Sequence, residues 1–279
     1  MYSNDLSGRL NRKHEVGLYM SKLLRTAYFL LCTQLGSPTL AQNFDKGIFN
    51  YSVGDYATAL QELRPLAEQG HAIAQSNLGL MYANGNGVIQ DYANAVSWYR
   101  LSAEQGDASA QFNLGLMYAN GDGVFQDYAE ALGWYRLSAD QGHVLSQSAL
   151  AYMYVAGNGV LQDDAEAMSW YRKAAEQGDS FSQYRLGLMY ANGISVIQDA
   201  VIAHMWYNIS GANGEAIASE LLDKIKQSMT RKEIAKAQSL ARRCMSSDYQ
   251  DCGLTRGQLV TATLKRWLGI FRPSFRYLQ

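Results

Sequence analysis

Proline is nearly absent from this sequence, with three residues in 279 against 25 glycines. Proline lacks the backbone N–H that a helix needs, so its scarcity leaves long stretches free to form helices. Glycine readily takes the left-handed conformation that ends a helix. The composition therefore predicts an all-α protein whose helices are separated by glycine turns.

Basic residues are scarce in the middle of the chain. Residues 42–253 hold 14 Lys or Arg against 23 Asp or Glu, a net charge of −9 in a chain whose total is −1. Proteins that bind nucleic acids need a positive surface to neutralise phosphate groups. We therefore expect no nucleic-acid partner for this region.

Common catalytic motifs are missing as well. No serine is followed three residues later by lysine, and neither G-x-S-x-G nor H-E-x-x-H occurs. The glycine-rich segments hold no Lys or Ser arranged as in a phosphate-binding loop. We expect no catalysis and no cofactor.

The few histidines and loop acids do not suggest a metal site. His71 and His143 fall in the same turn position two repeats apart, and His204 falls in an apolar position, which predicts a packed core histidine. Three loop acids are interpreted as helix caps, because the bidentate Glu of a calcium loop is missing at the required spacing. They are Asp122, Asp127 and Asp163.

The N-terminal apolar run is too short to be a stable membrane anchor. It reads TAYFLLCTQL, follows Lys22 and Arg25, and precedes Thr39-Leu40-Ala41. This order of basic, apolar and small residues predicts a secretory signal in residues 1–41, with cleavage after Ala41. Met20 is a natural start for such a signal. The protein is then expected in the periplasm or outside a bacterial cell.

Cysteine is scarce, with three residues in the chain. Cleavage would remove Cys32 and leave Cys244 and Cys252, eight positions apart across a predicted helix end. In an oxidising compartment we predict that these two form a disulfide that holds the last helix. Two alternatives to the signal remain: a buried N-terminal helix, and a lipoprotein anchored through Cys32, which bulky Leu31 disfavours.

What the sequence does contain is a repeat of 36 residues. Residues 77–88 read NLGLMYANGNGV and residues 113–124 read NLGLMYANGDGV, with one letter changed. A Trp-Tyr pair recurs at the same interval, beginning at Trp98, Trp134, Trp170 and Trp206. A period of this length indicates stacked supersecondary units.

Each copy is predicted to form two short helices. In the second copy the apolar spacing predicts helices over 107–120 and 128–140, with Gly121 ending the first and Asp127 capping the second. Such a pair cannot bury both of its faces alone, so the next pair must complete the core. The predicted fold is an α-solenoid of antiparallel helix pairs.

The repeat also sets the expected domain boundaries. Residues 42–70 are predicted to be an N-terminal capping helix pair, 71–214 four repeats, 215–253 C-terminal capping helices and 254–279 a basic tail. The second C-terminal helix opens with the capping-box pair Thr230 and Glu233.

The pattern LGLMYANGDGV–QDY–EAL–WYR–SA–QG is similar to the Sel1-like repeat, a relative of the tetratricopeptide repeat. The resemblance covers roughly residues 44–214. It implies a right-handed superhelix that serves as an adaptor in protein complexes and that in bacteria is often exported. Two positions depart from the pattern in the fourth copy: Ser195 replaces the second loop glycine, and His204 replaces an apolar residue.

Variable apolar positions on the first helix of each copy form the candidate binding surface. First helices line the concave side of this architecture, where an extended peptide or a helix of another protein could bind. The predicted partner-binding residues are Phe112, Tyr152, Phe181, Tyr184 and Arg185. The alternative is that several of them pack on neighbouring first helices.

The tail is a second candidate surface. Residues 254–279 contain five basic residues and no acid, and apolar residues from Val260 to Phe271 recur on one helical face. A basic amphipathic segment favours a membrane surface or an acidic partner, including the acidic repeats themselves. The alternative is a chance extension without function.

Together these features predict a protein-binding adaptor of the bacterial envelope. Two other functions remain open: a peripheral tether that acts through the tail, and a cell-wall-active protein or enzyme inhibitor.

Overall fold

The computed structural model describes residues 38–252, with side chains from Ala41 onwards. Within this range all regular structure is α-helical, which confirms the predicted class. The twelve helices are α1 (Pro38–Ser52), α2 (Tyr56–Glu68), α3 (Ala72–Asn84), α4 (Tyr92–Glu104), α5 (Ala108–Asn120), α6 (Tyr128–Asp140), α7 (Val144–Ala156), α8 (Asp164–Ala175), α9 (Ser180–Asn192), α10 (Ala200–Ala212), α11 (Ala216–Lys226) and α12 (Arg231–Ser246). Most of the predicted signal segment and the tail beyond residue 252 lie outside the described residues.

The described chain divides into two compact units, one ending at Gln90 and the other starting at Asp91. The first unit contains α1, α2 and α3, and α2 packs on both of the others. Leu63 of α2 and Leu78 of α3 are fully buried. A Cβ atom on Gly47 would lie 2.7 Å from Cγ of Leu63, so only glycine allows α1 to approach α2 this closely.

The second unit is a stack of helix pairs. From α4 to α11 each helix packs against the next one, and α12 packs on α10. First helices bury Leu114, Leu150 and Leu186, while second helices bury Tyr171 and Trp206. This arrangement confirms the solenoid fold for the unit, because each pair completes the core of its neighbours.

The helix ends follow from capping residues at equivalent positions of the copies. Asp107 accepts a hydrogen bond from the backbone N–H of Ala110 at the start of α5 (2.7 Å), and Gly121 ends that helix with a φ of 81°. Asp127 then caps α6 by accepting from Ala129 and Glu130. Caps of this kind satisfy backbone donors that have no partner within the helix. The two helices predicted in this copy are therefore confirmed, within a residue at either end.

A buried glutamine connects three helices in each copy of the second unit. Nε2 of Gln111 on α5 donates to the carbonyl of Ala103 on α4 (3.1 Å), and Oε1 of Gln111 accepts from Gln141 at the end of α6 (2.7 Å). The next two copies repeat the connection with the pairs Gln147 and Gln177, and Gln183 and Asn213. Each amide thus fixes the register between successive helix pairs.

The C-terminal helices close the second unit. The backbone N–H of Thr230 donates to Oε2 of Glu233 (2.8 Å), and the N–H of Glu233 donates to Oγ1 of Thr230 (3.3 Å), as predicted for the capping box. Cys244 of α12 and Cys252 lie side by side, with their Cα atoms 4.2 Å apart. The disulfide itself stays a prediction. None of the described helices combines the length and apolar composition that a membrane crossing requires.

The second glycine of each loop touches the preceding helix pair. A Cβ atom on Gly159 would lie 2.4 Å from the carbonyl oxygen of Tyr128, and Gly159 has a φ of 69°. Glycine is needed here both for the left-handed backbone and for the close approach. In the fourth copy Ser195 occupies this position with a φ of 55°.

We expect Ser195→Gly to stabilise the protein by about 1 kcal/mol, because the left-handed conformation costs a residue with a Cβ atom about 1–2 kcal/mol. Gly159→Ser should destabilise it by about 3 kcal/mol, since the contact with Tyr128 adds to the backbone cost. Urea unfolding of the purified proteins measures both changes.

Gly142→Ser is the matched control for these variants. Gly142 also has a positive φ, 89°, but no atom outside its own neighbours lies within 4 Å of the added Cβ. Its substitution should cost only the backbone term, about 1 kcal/mol. Equal losses for Gly142→Ser and Gly159→Ser would show that the close approach contributes nothing.

Candidate interaction surface

Three apolar side chains are exposed on the first helices of the second unit. Leu145 and Tyr152 on α7 are 53% and 50% exposed, and Phe181 on α9 is 38% exposed. The opposite sides of the same helices carry Leu150 and Leu186, which are fully buried. The core side of each helix is therefore already filled, and these three residues belong to an outward face.

Three of the predicted site residues form one cluster on α9. The Phe181 ring lies 6.0 Å from the Tyr184 ring and 6.3 Å from the ring of Tyr171 on α8. Cζ of Arg185 lies 5.5 Å from the Tyr171 ring and 5.9 Å from the Phe181 ring. Cation–π attraction to two rings holds the guanidinium in a defined place. The face formed by Leu145, Tyr152, Phe181, Tyr184 and Arg185 is called the first-helix face below.

Tyr171 supports this cluster from beneath. It is fully buried, and burial raises the pKa of its hydroxyl to about 12, with the neighbouring Arg185 acting in the opposite direction. The phenol therefore stays neutral at physiological pH. Tyr171 therefore provides a ring on which Arg185 packs, but no negative charge that would neutralise the guanidinium.

Arg185 is electrostatically unusual on this surface. It is the one charged side chain in the sequences of α5, α7 and α9. Among the carboxylates of residues 41–252, none forms an ion pair with it. Its positive charge can therefore pair with an acidic group supplied from outside.

Phe112 lies apart from this cluster. It is half-buried on α5, with its ring 5.8 Å from the Tyr135 ring and 5.2 Å from the His143 ring. Phe112 thus packs against the second helix of its own copy and the residue that caps the next first helix. A direct role of Phe112 in binding stays a prediction, and we do not place it on the first-helix face.

The histidines occupy structural positions. Nδ1 of His71 accepts the backbone N–H of Ala74, and Nδ1 of His143 accepts that of Ser146, both at 3.3 Å. His204 is fully buried, as predicted, and neither of its ring nitrogens has a hydrogen-bond partner in the structure. Across the described part of the chain, no group of three or more His, Cys, Asp or Glu is placed to hold a metal ion.

The loop acids are caps in two of the three predicted cases. Asp127 and Asp163 each accept two backbone N–H groups at the start of the following helix. Asp122 instead accepts from the side-chain amide of Asn120 at 3.1 Å. The next helix is capped by Asp127 instead, so the prediction for Asp122 was wrong.

His204 makes the stability of the second unit depend on pH. Burial lowers the pKa of His204, and nearby Lys226 lowers it further. Because the folded pKa lies below the unfolded value of about 6.5, the unfolded chain binds a proton first as the pH falls. The protein should lose stability from about pH 7 towards pH 5, and His204→Met should reduce this loss. Urea unfolding at both pH values measures the effect.

Met is a matched replacement, because Met168 fills the same position in the preceding copy. His143→Asn serves as the comparison: burial also lowers the pKa of His143, but nearby Asp107 opposes the shift. We expect this variant to remove a smaller part of the pH dependence. An unchanged pH profile in His204→Met would contradict the assignment.

One further set of residues was not predicted from the sequence. A large apolar residue follows the loop valine in every copy and is almost completely exposed: Ile89 (91%), Phe125 (97%), Leu161 (89%) and Ile197 (72%). The signal was available as an apolar position recurring every 36 residues in otherwise polar loops.

The stacked helix pairs and the outward face of the first helices place this protein in the class of α-helical repeat proteins. The model of the Sel1 repeat family matches residues 72–107, 108–143, 144–179 and 180–215. The chain belongs to the Sel1 repeat family. Its proteins generally mediate protein–protein interactions and are mostly non-catalytic scaffolds.

Two solved structures are similar to this chain. A protective antigen present in uropathogenic Escherichia coli strains, which displays an SLR fold, is 34% identical with a TM-score of 0.67. The match covers 86% of this chain and 52% of the antigen, so the chain spans about half of the antigen's length. A Sel1 repeat protein from Oxalobacter formigenes is 31% identical with a TM-score of 0.61, over 80% of this chain and 99% of that protein. No curated protein matched the chain.

Proposed function

We propose that this protein is a non-catalytic adaptor of the bacterial envelope that binds another protein or peptide through the first-helix face. The observation that carries the proposal is the exposure of Tyr152 and Phe181 on the outward sides of helices whose other sides are filled. Exposed aromatic residues with adjacent packed neighbours are typical anchors of protein interfaces. We assign this face to the concave side, as the resemblance to the repeat family implies.

The chemistry of the face restricts the partner. Apolar side chains from α7 and α9 favour a peptide or helix with apolar residues of its own. Arg185 favours an acidic group next to those residues, because its guanidinium is fixed between two rings and has no carboxylate of its own. The partner is therefore an apolar segment that carries at least one Asp, Glu or chain-terminal carboxylate.

A capture experiment from native cells tests the face. Proximity labelling with the wild type is compared with the double variant Tyr152→Ala, Phe181→Ala, after both have been shown to be equally helical. Proteins lost from the double variant are purified, and their affinities are measured by calorimetry. We expect at least tenfold weaker binding, since truncating an interface anchor typically costs more than about 1.4 kcal/mol.

The matched control is the double variant Leu101→Ala, Leu137→Ala. These leucines on α4 and α6 are 46% and 51% exposed, but they lie on second helices. They should leave binding unchanged. If both double variants lose the same proteins to the same degree, the first-helix face is not the binding surface.

Export is part of the proposal, and it is supported by the order of basic, apolar and small residues in 1–41. An exported protein is expected to begin at Gln42 and to carry Cys244 and Cys252 as a disulfide. Intact-mass measurement of the protein purified from its cells tests both. A mass that retains residues 20–41, or two free thiols after blocking with iodoacetamide, would contradict it.

A further inference from the structure

The second unit presents a row of exposed apolar side chains on its loops. Phe125, Leu161 and Ile197 occupy the same position in three successive copies and are between 72% and 97% exposed. We call these three residues the loop ladder. Single exposed apolar residues are ordinary on protein surfaces, but a set that recurs in successive copies is a candidate interaction surface.

The three loops have the same closed conformation. In each one the backbone N–H of an aspartate donates to the carbonyl of a tyrosine in the preceding helix, at 3.0, 3.1 and 3.0 Å, through the pairs Asp127 and Tyr118, Asp163 and Tyr154, and Asp199 and Tyr190. Consecutive loops are also neighbours, because Gly159 of the second loop packs against Tyr128, which follows the first. The ladder is therefore built on rigid loops along one edge of the unit.

The surroundings of the loop ladder are acidic. Residues 121–130, 157–166 and 193–202 contain no Lys or Arg. They contain seven acids: Asp122, Asp127, Glu130, Asp163, Asp164, Glu166 and Asp199. Glu166 is paired with Arg136 of α6 (3.9 Å), and none of the other six forms an ion pair within residues 41–252. Beside Phe125 an open depression of about 860 Å³ is lined by Tyr118, Val124 and the acids Asp127 and Glu130. A segment with both apolar and basic residues is complementary to this edge.

We propose that residues 254–279 of the same chain bind along the loop ladder. This segment contains five basic residues and no acid, and its apolar residues include Leu264, Trp267 and Phe271. Its apolar residues complement the exposed side chains of the loop ladder, and its basic residues complement the acids around them. The opposite charges also favour the association of the segment with this edge. The first-helix face is a separate surface and stays free for another protein.

The length and starting point of the segment allow this contact. It begins just after Cys252, and the hydroxyl of nearby Tyr249 accepts a hydrogen bond from Asn213 at the C-terminal end of α10 (2.9 Å). The starting point is therefore separated from Ile197, at the other end of α10, by the length of that helix, roughly 20 Å. Twenty-six extended residues span at most roughly 90 Å. Four helix spacings of about 10 Å separate α6 from α10, and the length of α10 adds roughly 20 Å, so all three positions of the loop ladder lie within reach.

Site-specific cross-linking of the full chain tests the proposal. A photoreactive benzoylphenylalanine replaces Trp267, the purified protein is irradiated, and the cross-linked peptides are identified by mass spectrometry. We expect cross-links within one chain to residues 121–130, 157–166 or 193–202. The triple variant Phe125→Ser, Leu161→Ser, Ile197→Ser should reduce their yield at least fivefold, and so should raising the NaCl concentration from 50 to 500 mM (conditions chosen for roughly a threefold change in Debye length).

The control variant Leu101→Ser, Leu137→Ser should leave the yield unchanged, because those leucines lie outside the loops. Cross-links between two chains would overturn the proposal in favour of a dimer contact. Transfer of the cross-links to lipid when anionic vesicles are added would overturn it in favour of a membrane contact. Cross-links confined to the first helices, or none at all, would also overturn it.

Discussion

The buried glutamine of each repeat is the interaction on which the second unit depends. An amide buried without partners costs about 1–3 kcal/mol, so the side chain of Gln111 is favourable only when both of its partners are in place. One partner is the carbonyl of Ala103 in α4, and the other is the side-chain amide of Gln141 at the end of α6. The hydrogen bonds therefore require three helices at one spacing, which apolar packing alone would not fix.

This constraint explains why the outward surface is free to vary. Because Leu150, Leu186 and the glutamines hold the helices from within, substitutions on the outer side change what is presented without changing the fold. The variation is concentrated in the fourth copy, where Phe181, Tyr184 and Arg185 replace smaller or neutral residues. Ser195 and His204, two substitutions that are expected to lower the stability, lie in this same fourth copy.

The helices were predictable from the sequence because their signals are local. Asp127 caps the helix that directly follows it, and Gly121 ends the helix that directly precedes it. Phe112 was harder, because its exposure depends on Tyr135 and His143, which lie more than twenty residues further along the chain. The contact between Arg185 and Tyr171 was equally hard to predict, because it joins α9 to α8. The apolar pattern of the sequence does not determine how these two helices are rotated relative to each other.

The sequence by itself determined the repeat, the helix ends, the family and the acidic character of the middle of the chain, because these depend on neighbouring residues or on simple counts. Only the tertiary structure decided which outward residues are exposed, where Arg185 lies and that the loop ladder stands clear of the core. Those properties depend on how helices distant in sequence cover one another. A 36-residue period fixes which positions are equivalent, but packing decides how much of each side chain remains accessible.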